Sequence, residues 1–283
     1  MNTFRFNRWV ALSAILFLTA SLTQAQLVRS ATGVDAASIT AARDQFRVDL
    51  GGGTVPGANG SFGGMRREIN WDGVPAGFSA PNNMPANFFN VNSPRGAVFS
   101  TPGSGFQVSG SPTDGVPIEF GNIDATYPGT FGTFSAQRLF TPLGSNIMDV
   151  NFFVPGTNTP ALTTGFGAVF TDVDVANTTS IQLFNSANVS LGTFFVPATL
   201  GSETFSFLGI SFATPTIARV RITLGNAVLA AGVTDNGTTR DLVVMDDFIY
   251  GEPVPEPATV MFLLAGTIPL VAALRRRGLK SPR

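Results

Sequence analysis

The sequence predicts an all-β fold, an antiparallel β-sandwich of jelly-roll type, on three observations. Short apolar, β-branched and aromatic segments follow one another at roughly ten-residue spacing through the second half of the chain, with turn-forming residues between them. Ala218 to Leu224 alternates cleanly, with Val220, Ile222 and Leu224 on one side and Arg219, Arg221 and Thr223 on the other. The chain carries 26 Phe against two Trp and two Tyr. Phenylalanine buries area without needing a hydrogen-bond partner, so this usage suits a core packed between sheets.

In chain order, residues 36–48 are predicted to form a helix. Asp35 can cap its first turn, Ile39, Ala42 and Phe46 share one face, and Gly51-Gly52-Gly53 ends it. Residues 36–110 are otherwise rich in Gly, Pro, Asn and Ser, with short strands predicted at 67–71, 97–100 and 106–109. Residues 111–252 read more clearly as sheet. Strands are expected at 147–154, 166–173, 180–184, 189–196, 204–212, 218–224 and within 241–250. Asn185-Ser186-Ala187-Asn188 forms a hairpin loop between the third and fourth of these. Phe205 and Phe207 share a face, and Gly209 suggests a bulge that would let Ile210 and Phe212 continue it. The change of texture near Gly110 is compatible with a boundary, but one elaborated sandwich over 26–252 is the simpler reading.

Both ends read as addresses rather than as fold. Arg5 and Arg8 precede an apolar core, and Thr23-Gln24-Ala25 offers the small residues that a signal peptidase reads, so 1–25 is predicted to be a signal peptide cut after Ala25. At the other end, Val254-Pro255-Glu256-Pro257 leads into 258–274, an uncharged run followed by Arg275-Arg276-Arg277. Seventeen helical residues span about 25 Å, near the lower limit for a hydrocarbon core of about 30 Å. Its eight Val, Ile, Leu and Phe residues favour insertion by about 2–5 kcal/mol. The arginines and Lys280 would stay on the cytoplasmic side, leaving the body outside.

This tail resembles the PEP-CTERM sorting signal of exported, exopolysaccharide-associated proteins of Gram-negative bacteria. The likeness covers about a tenth of the chain, residues 253–283. It implies that an exosortase cuts near Pro255-Glu256-Pro257 and passes the body to the cell surface or matrix, after transient anchoring in the inner membrane. A weaker resemblance rests on Ala218 to Ile222 and Val243 to Tyr250. They are similar to the last two strands of PEP-CTERM ectodomains and of jelly-roll, carbohydrate-binding-like modules, a likeness of strands that carries no function with it.

Composition narrows the chemistry. There is no Cys and no His, which removes the commonest general base, the usual triad partner and the familiar zinc sites. From residue 26 to the start of the apolar run at 258, ten basic residues face eighteen acidic ones, a balance of −8, and the single lysine lies in the tail. Such a surface argues against nucleic-acid binding, which needs phosphate neutralisation. It suits divalent cations or simple solubility.

Three candidate sites follow. Asp172 and Asp174 lie at i and i+2 at the end of a predicted strand, so their carboxylates would share a face. With Asp246 or Asp247 they could begin a calcium site, which takes six to eight oxygens; the alternative is that they cap a turn. The same four acids could serve glycoside hydrolysis, which needs two carboxylates about 5–9.5 Å apart. Adjacent Asp246 and Asp247 in a strand would face opposite sides and so cannot be that pair. Trp71 and Tyr127 could stack on a sugar while Arg95 clamps an anionic one, or the aromatics are core and the arginine structural. The reading favoured overall is a non-catalytic structural or adhesive component of an exopolysaccharide layer. A carbohydrate-binding module, calcium-dependent or not, comes next, and a polysaccharide hydrolase third.

Overall fold

A computed structural model describes residues 25–52 and 64–256. Residues 1–24, 53–63 and 257–283 lie outside them, and with them the predicted signal peptide through Gln24, Pro257, the apolar run 258–274 and Arg275 to Arg277. Among the described residues no helix is long and apolar enough to cross a membrane.

The chain is mostly β. It opens with β1 (Gln26–Gly33), α1 (Ala37–Asp49) and β2 (Arg66–Ile69). A short helix α2 (Phe88–Val91) then precedes β3 (Ala97–Ser100), β4 (Gly105–Val108), β5 (Phe140–Leu143) and β6 (Ile147–Phe152). The remaining strands are β7 (Ala161–Leu162), β8 (Gly165–Thr171), β9 (Ser180–Phe184), β10 (Ser190–Phe195), β11 (Phe205–Phe212), β12 (Arg219–Thr223), β13 (Val244–Gly251) and β14 (Val254–Pro255). One sheet runs β1-β11-β8-β13-β5-β4, with β2 also on β13; the other runs β10-β9-β12-β6-β3. All of these pairs are antiparallel. β2, β3 and β4 come from the Gly-rich half and pair with β13, β6 and β5, so the two textures build one sandwich.

The main core fills the space between the sheets. Val220 and Ile222 of β12 and Met148, Val150 and Phe152 of β6 meet Phe166, Ala168 and Phe170 of β8 and Phe248 and Tyr250 of β13. Arg219 and Arg221 point outward, as the alternation requires, and both pair with Asp149 of the neighbouring strand. A second core lies on the outer face of the larger sheet. There Ile39 and Phe46 of α1, with Leu50 at its C-cap, pack on Val169, Phe205, Phe207 and Ile249. The helix begins one residue later than predicted, and Asp35 still accepts the Ser38 N–H at 2.9 Å.

This helix corrects the reading of β11. The strand pairs without interruption on both sides, so Gly209 makes no bulge. Phe205 and Phe207 face α1 while Leu208, Ile210 and Phe212 face the sandwich, as a period of two demands. Gly209 and Gly167 are neighbours across the ladder and lie beneath the Phe46 ring. A Cβ at Gly209 would sit 2.7 Å from that ring and one at Gly167 2.8 Å. The glycines let a helix carrying a large aromatic approach the sheet.

Candidate functional site

β8 ends at Thr171, and Asp172 turns the chain in a left-handed conformation, φ 66°, with its N–H donating to the Thr204 carbonyl at 3.0 Å. The strand does not continue to Asp174, but this turn still brings the two carboxylates together. Asp235 joins them from the connection between β12 and β13. One oxygen from each of Asp172, Asp174 and Asp235 lies within 4.8 Å of the others. Asp235 is fixed by its own loop, since Oδ1 accepts the Gly237 N–H at 2.5 Å and Oδ2 the Leu242 N–H at 2.5 Å. Asp174 Oδ1 accepts the Gly201 N–H at 2.8 Å. Asp241, fully buried, stands behind: Oδ1 accepts the Asp174 N–H at 2.9 Å and Oδ2 the Thr178 hydroxyl.

Asp172 differs from its neighbours. Its residue is 1 % exposed, and neither side-chain oxygen has a hydrogen-bond partner. Burial, and then the charges of Asp174, Asp235 and Asp241, push its carboxyl up to about 9. Burial raises Asp174 and Asp241 as well. Among the described residues no arginine forms an ion pair with any of the four. The arrangement concentrates oxygen ligands without a countercharge.

Asp247 does not join this cluster. A register shift between Met245 and Phe248 places a bulge in β13, and the bulge overrides the alternation that would part Asp246 from Asp247. Ser135 Oγ lies 3.0 Å from Asp246 Oδ1 and 2.7 Å from Asp247 Oδ1. Asp246 Oδ2 also accepts the Phe134 and Ser135 N–H groups at 2.7 and 3.1 Å. Burial and the adjacent Asp247 charge push Asp246 well above the carboxylate range, and burial raises Asp247. The pair fastens the 134–135 segment to the sheet.

The aromatic candidates are core. Trp71 is 1 % exposed, stacked on Phe140 at 4.0 Å, with its indole N–H donating to the Asp246 carbonyl at 2.6 Å. Tyr127 is fully buried; its hydroxyl lies 2.8 Å from the Val233 carbonyl and accepts the Ala230 N–H at 3.1 Å, pinning the β12–β13 connection. Neither ring offers a face to a sugar. Arg95 differs from both. Its guanidinium lies 5.5 Å from the Phe89 ring and makes no hydrogen bond or ion pair among the described residues. It lines a cavity of about 80 Å³ with Asn70, Ser93 and the edge of Trp71. Burial, reinforced by Arg67, lowers its pKa.

An open groove of about 440 Å³ between Ser100, Thr101, Ile147 and Arg221 holds one carboxylate, Asp149. Arg219 and Arg221 neutralise it at 3.1 and 2.8 Å. At the chain ends, Ala25 lies directly ahead of β1, Pro255 pairs with Ala161, and Glu256 lines a groove of about 200 Å³ beside Arg219 and Asn188.

No protein-family model matches the chain, and a search of curated proteins returns no match. The residues that complete the acidic cluster, Asp235 and Asp241, were not anticipated. Their signal was the loop 232–241 leading into the strand that pairs with β8, and it becomes readable only once strand order is known.

Proposed function

We propose that the chain is an exported, non-catalytic structural or adhesive protein of an exopolysaccharide layer, with a jelly-roll-like body delivered by a sorting tail. The observation that carries this reading is the order of the last segments. Pro255-Glu256-Pro257 begins on the final residue of the last strand, and an uncharged membrane-length run and Arg275-Arg276-Arg277 come directly after it. The position of the predicted signal-peptidase cut supports it, because Gln26, the new N-terminus, is the first residue of β1 and pairs with Phe212. A body that starts and stops at its own strands can be trimmed at both ends without losing core. The carboxylates support the non-catalytic part. Those that cluster are closed off from substrate or tie down backbone, and Asp149 in the open groove is paired.

Expression in a host that carries an exosortase tests the proposal. The expected product is a surface or matrix species beginning at Gln26 and ending near Pro255 to Pro257, read by intact mass. Intact chain in the cytosol, uncut at both ends, would overturn it.

A second reading, a carbohydrate-binding module, is favoured by the unpaired Arg95 guanidinium in its small polar cavity. A carboxylate of an acidic sugar is the group it would take, since guanidinium and carboxylate match geometrically. On this reading Arg95→Ala weakens binding to a uronate-containing polysaccharide by about 10- to 100-fold, the loss of a hydrogen bond to a charged group. The fold should survive, because Tyr250 donates to the backbone carbonyl of residue 95 and not to its side chain. Equal binding of acidic and neutral polysaccharides by the native chain and the variant would remove this reading.

A further inference from the structure

We propose that Asp172, Asp174 and Asp235, backed by Asp241, form a calcium site that clamps the β12–β13 connection onto the end of β8. Two independent observations point to a ligand. Three carboxylate oxygens from two distant parts of the chain, the turn after β8 and the β12–β13 connection, converge within 4.8 Å. Asp172, 1 % exposed and the most buried of those three, brings one oxygen into the cluster, and neither of its side-chain oxygens has a hydrogen-bond partner among the described residues. A buried carboxylate keeps an unpaired oxygen only at a cost of several kcal/mol, and it escapes that cost by taking a proton or a cation. Convergence separates these two outcomes, because a proton relieves one carboxylate whereas the other acids still repel. A divalent ion relieves all of them together.

The donor set selects the ion. Every side-chain ligand is a carboxylate oxygen, and the chain has neither His nor Cys, so the softer transition metals have no preferred partner here. Asp174 and Asp235 accept backbone N–H groups yet keep lone pairs free, and they approach from loops rather than from a rigid octahedral frame. Calcium tolerates such irregular sets of six to eight oxygens, while magnesium demands near-ideal geometry. The ion would bridge the turn after β8 to the β12–β13 connection, which Asp241 already ties to Thr178 and to the Asp174 backbone. Affinity in the range of extracellular modules, a Kd of about 10⁻⁴–10⁻³ M, is expected.

The test uses the full chain in detergent, stripped with a chelator and then titrated with calcium or magnesium chloride alone. Calorimetry should show one calcium per chain. A tenfold excess of calcium over Kd should raise Tm by about 3–6 °C, with a smaller shift for magnesium. Asp172→Asn should abolish the shift while melting no lower than the metal-free native protein, since the amide keeps the shape of the carboxyl and carries no charge. Asp44→Asn, an exposed acid on α1, should keep the full shift. No shift in the native chain at about 10 mM calcium, ten times the weakest expected Kd, would overturn the site, as would an undiminished shift in Asp172→Asn. None of these outcomes depends on whether the tail is processed.

Discussion

Replacing Arg67 by Met is expected to destabilise the folded body by about 3–5 kcal/mol, the usual cost of breaking a buried ion pair from one side. Arg67 is fully buried in β2, and its guanidinium forms a two-pronged pair with Glu252, which is itself 6 % exposed. The second prong, Nη2 to Oε1, measures 2.8 Å. Glu252 follows β13 directly and precedes β14, so the pair fastens the last residues of the body ahead of the proline triplet. Losing Arg67 takes the countercharge from a carboxylate that is only 6 % exposed. Replacing both partners, Arg67→Met with Glu252→Leu, should recover most of the loss, because apolar groups of similar volume carry no desolvation cost. Urea unfolding of the four proteins in the cycle reads the coupling directly. A cost under about 1 kcal/mol for Arg67→Met, the level of an exposed pair, would show that solvent reaches the pair.

How much of this was legible in the sequence depended on local pattern. β3 and β9 lie where they were expected, and β12 lies within its predicted span, because breakers bound them and β12 has one polar face. β1 was missed, since Gln-Leu-Val-Arg-Ser-Ala-Thr-Gly is mixed in polarity, as an edge strand with one pairing partner can be. β5 was missed because Pro142 argues against a strand. It is tolerated there because the ladder to β13 is reduced to the single pair Met245 and Phe140. The face assignment of β11 failed for another reason. Both faces of that strand are covered, one by α1, so its aromatics need not share a side.

The candidate sites show the same division. Asp172 and Asp174 are neighbours in sequence, and their meeting was readable. Asp235 and Asp241 reach them only because β13 pairs with β8, a contact across some seventy residues that no local period encodes. Asp246 and Asp247 were assigned to opposite sides by strand geometry, and a bulge reversed that. The calcium proposal therefore rests on topology where the hydrolase reading rested on composition.

Trp71→Ala is the other large effect expected, with about 3–5 kcal/mol lost to the cavity alone. The ring sits at the centre of an aromatic cluster. It stacks on Phe140 at 4.0 Å and 11°, and meets Phe89 and Phe248 edge-on at 5.5 and 5.0 Å. Its backbone is left-handed, φ 66°, a conformation that a bulky residue holds only where its surroundings over-determine it. The indole N–H also satisfies the Asp246 carbonyl inside the β13 bulge, so truncation leaves a buried acceptor unpaired at a further cost of about 1–3 kcal/mol. Trp71→Phe keeps most of the volume and loses only that bond, so it should cost clearly less. Urea unfolding followed by far-ultraviolet circular dichroism measures both, because Trp71 is the sole tryptophan of residues 26–283. That same uniqueness tests the core assignment against a role in sugar stacking. Emission from the native protein should be blue-shifted, poorly quenched by acrylamide, and unchanged by neutral polysaccharide. A neutral sugar that quenched or shifted it would have to reach a ring already packed against Phe89, Phe99, Phe140 and Phe248, and the packing described for β2, β5 and β13 would then be wrong.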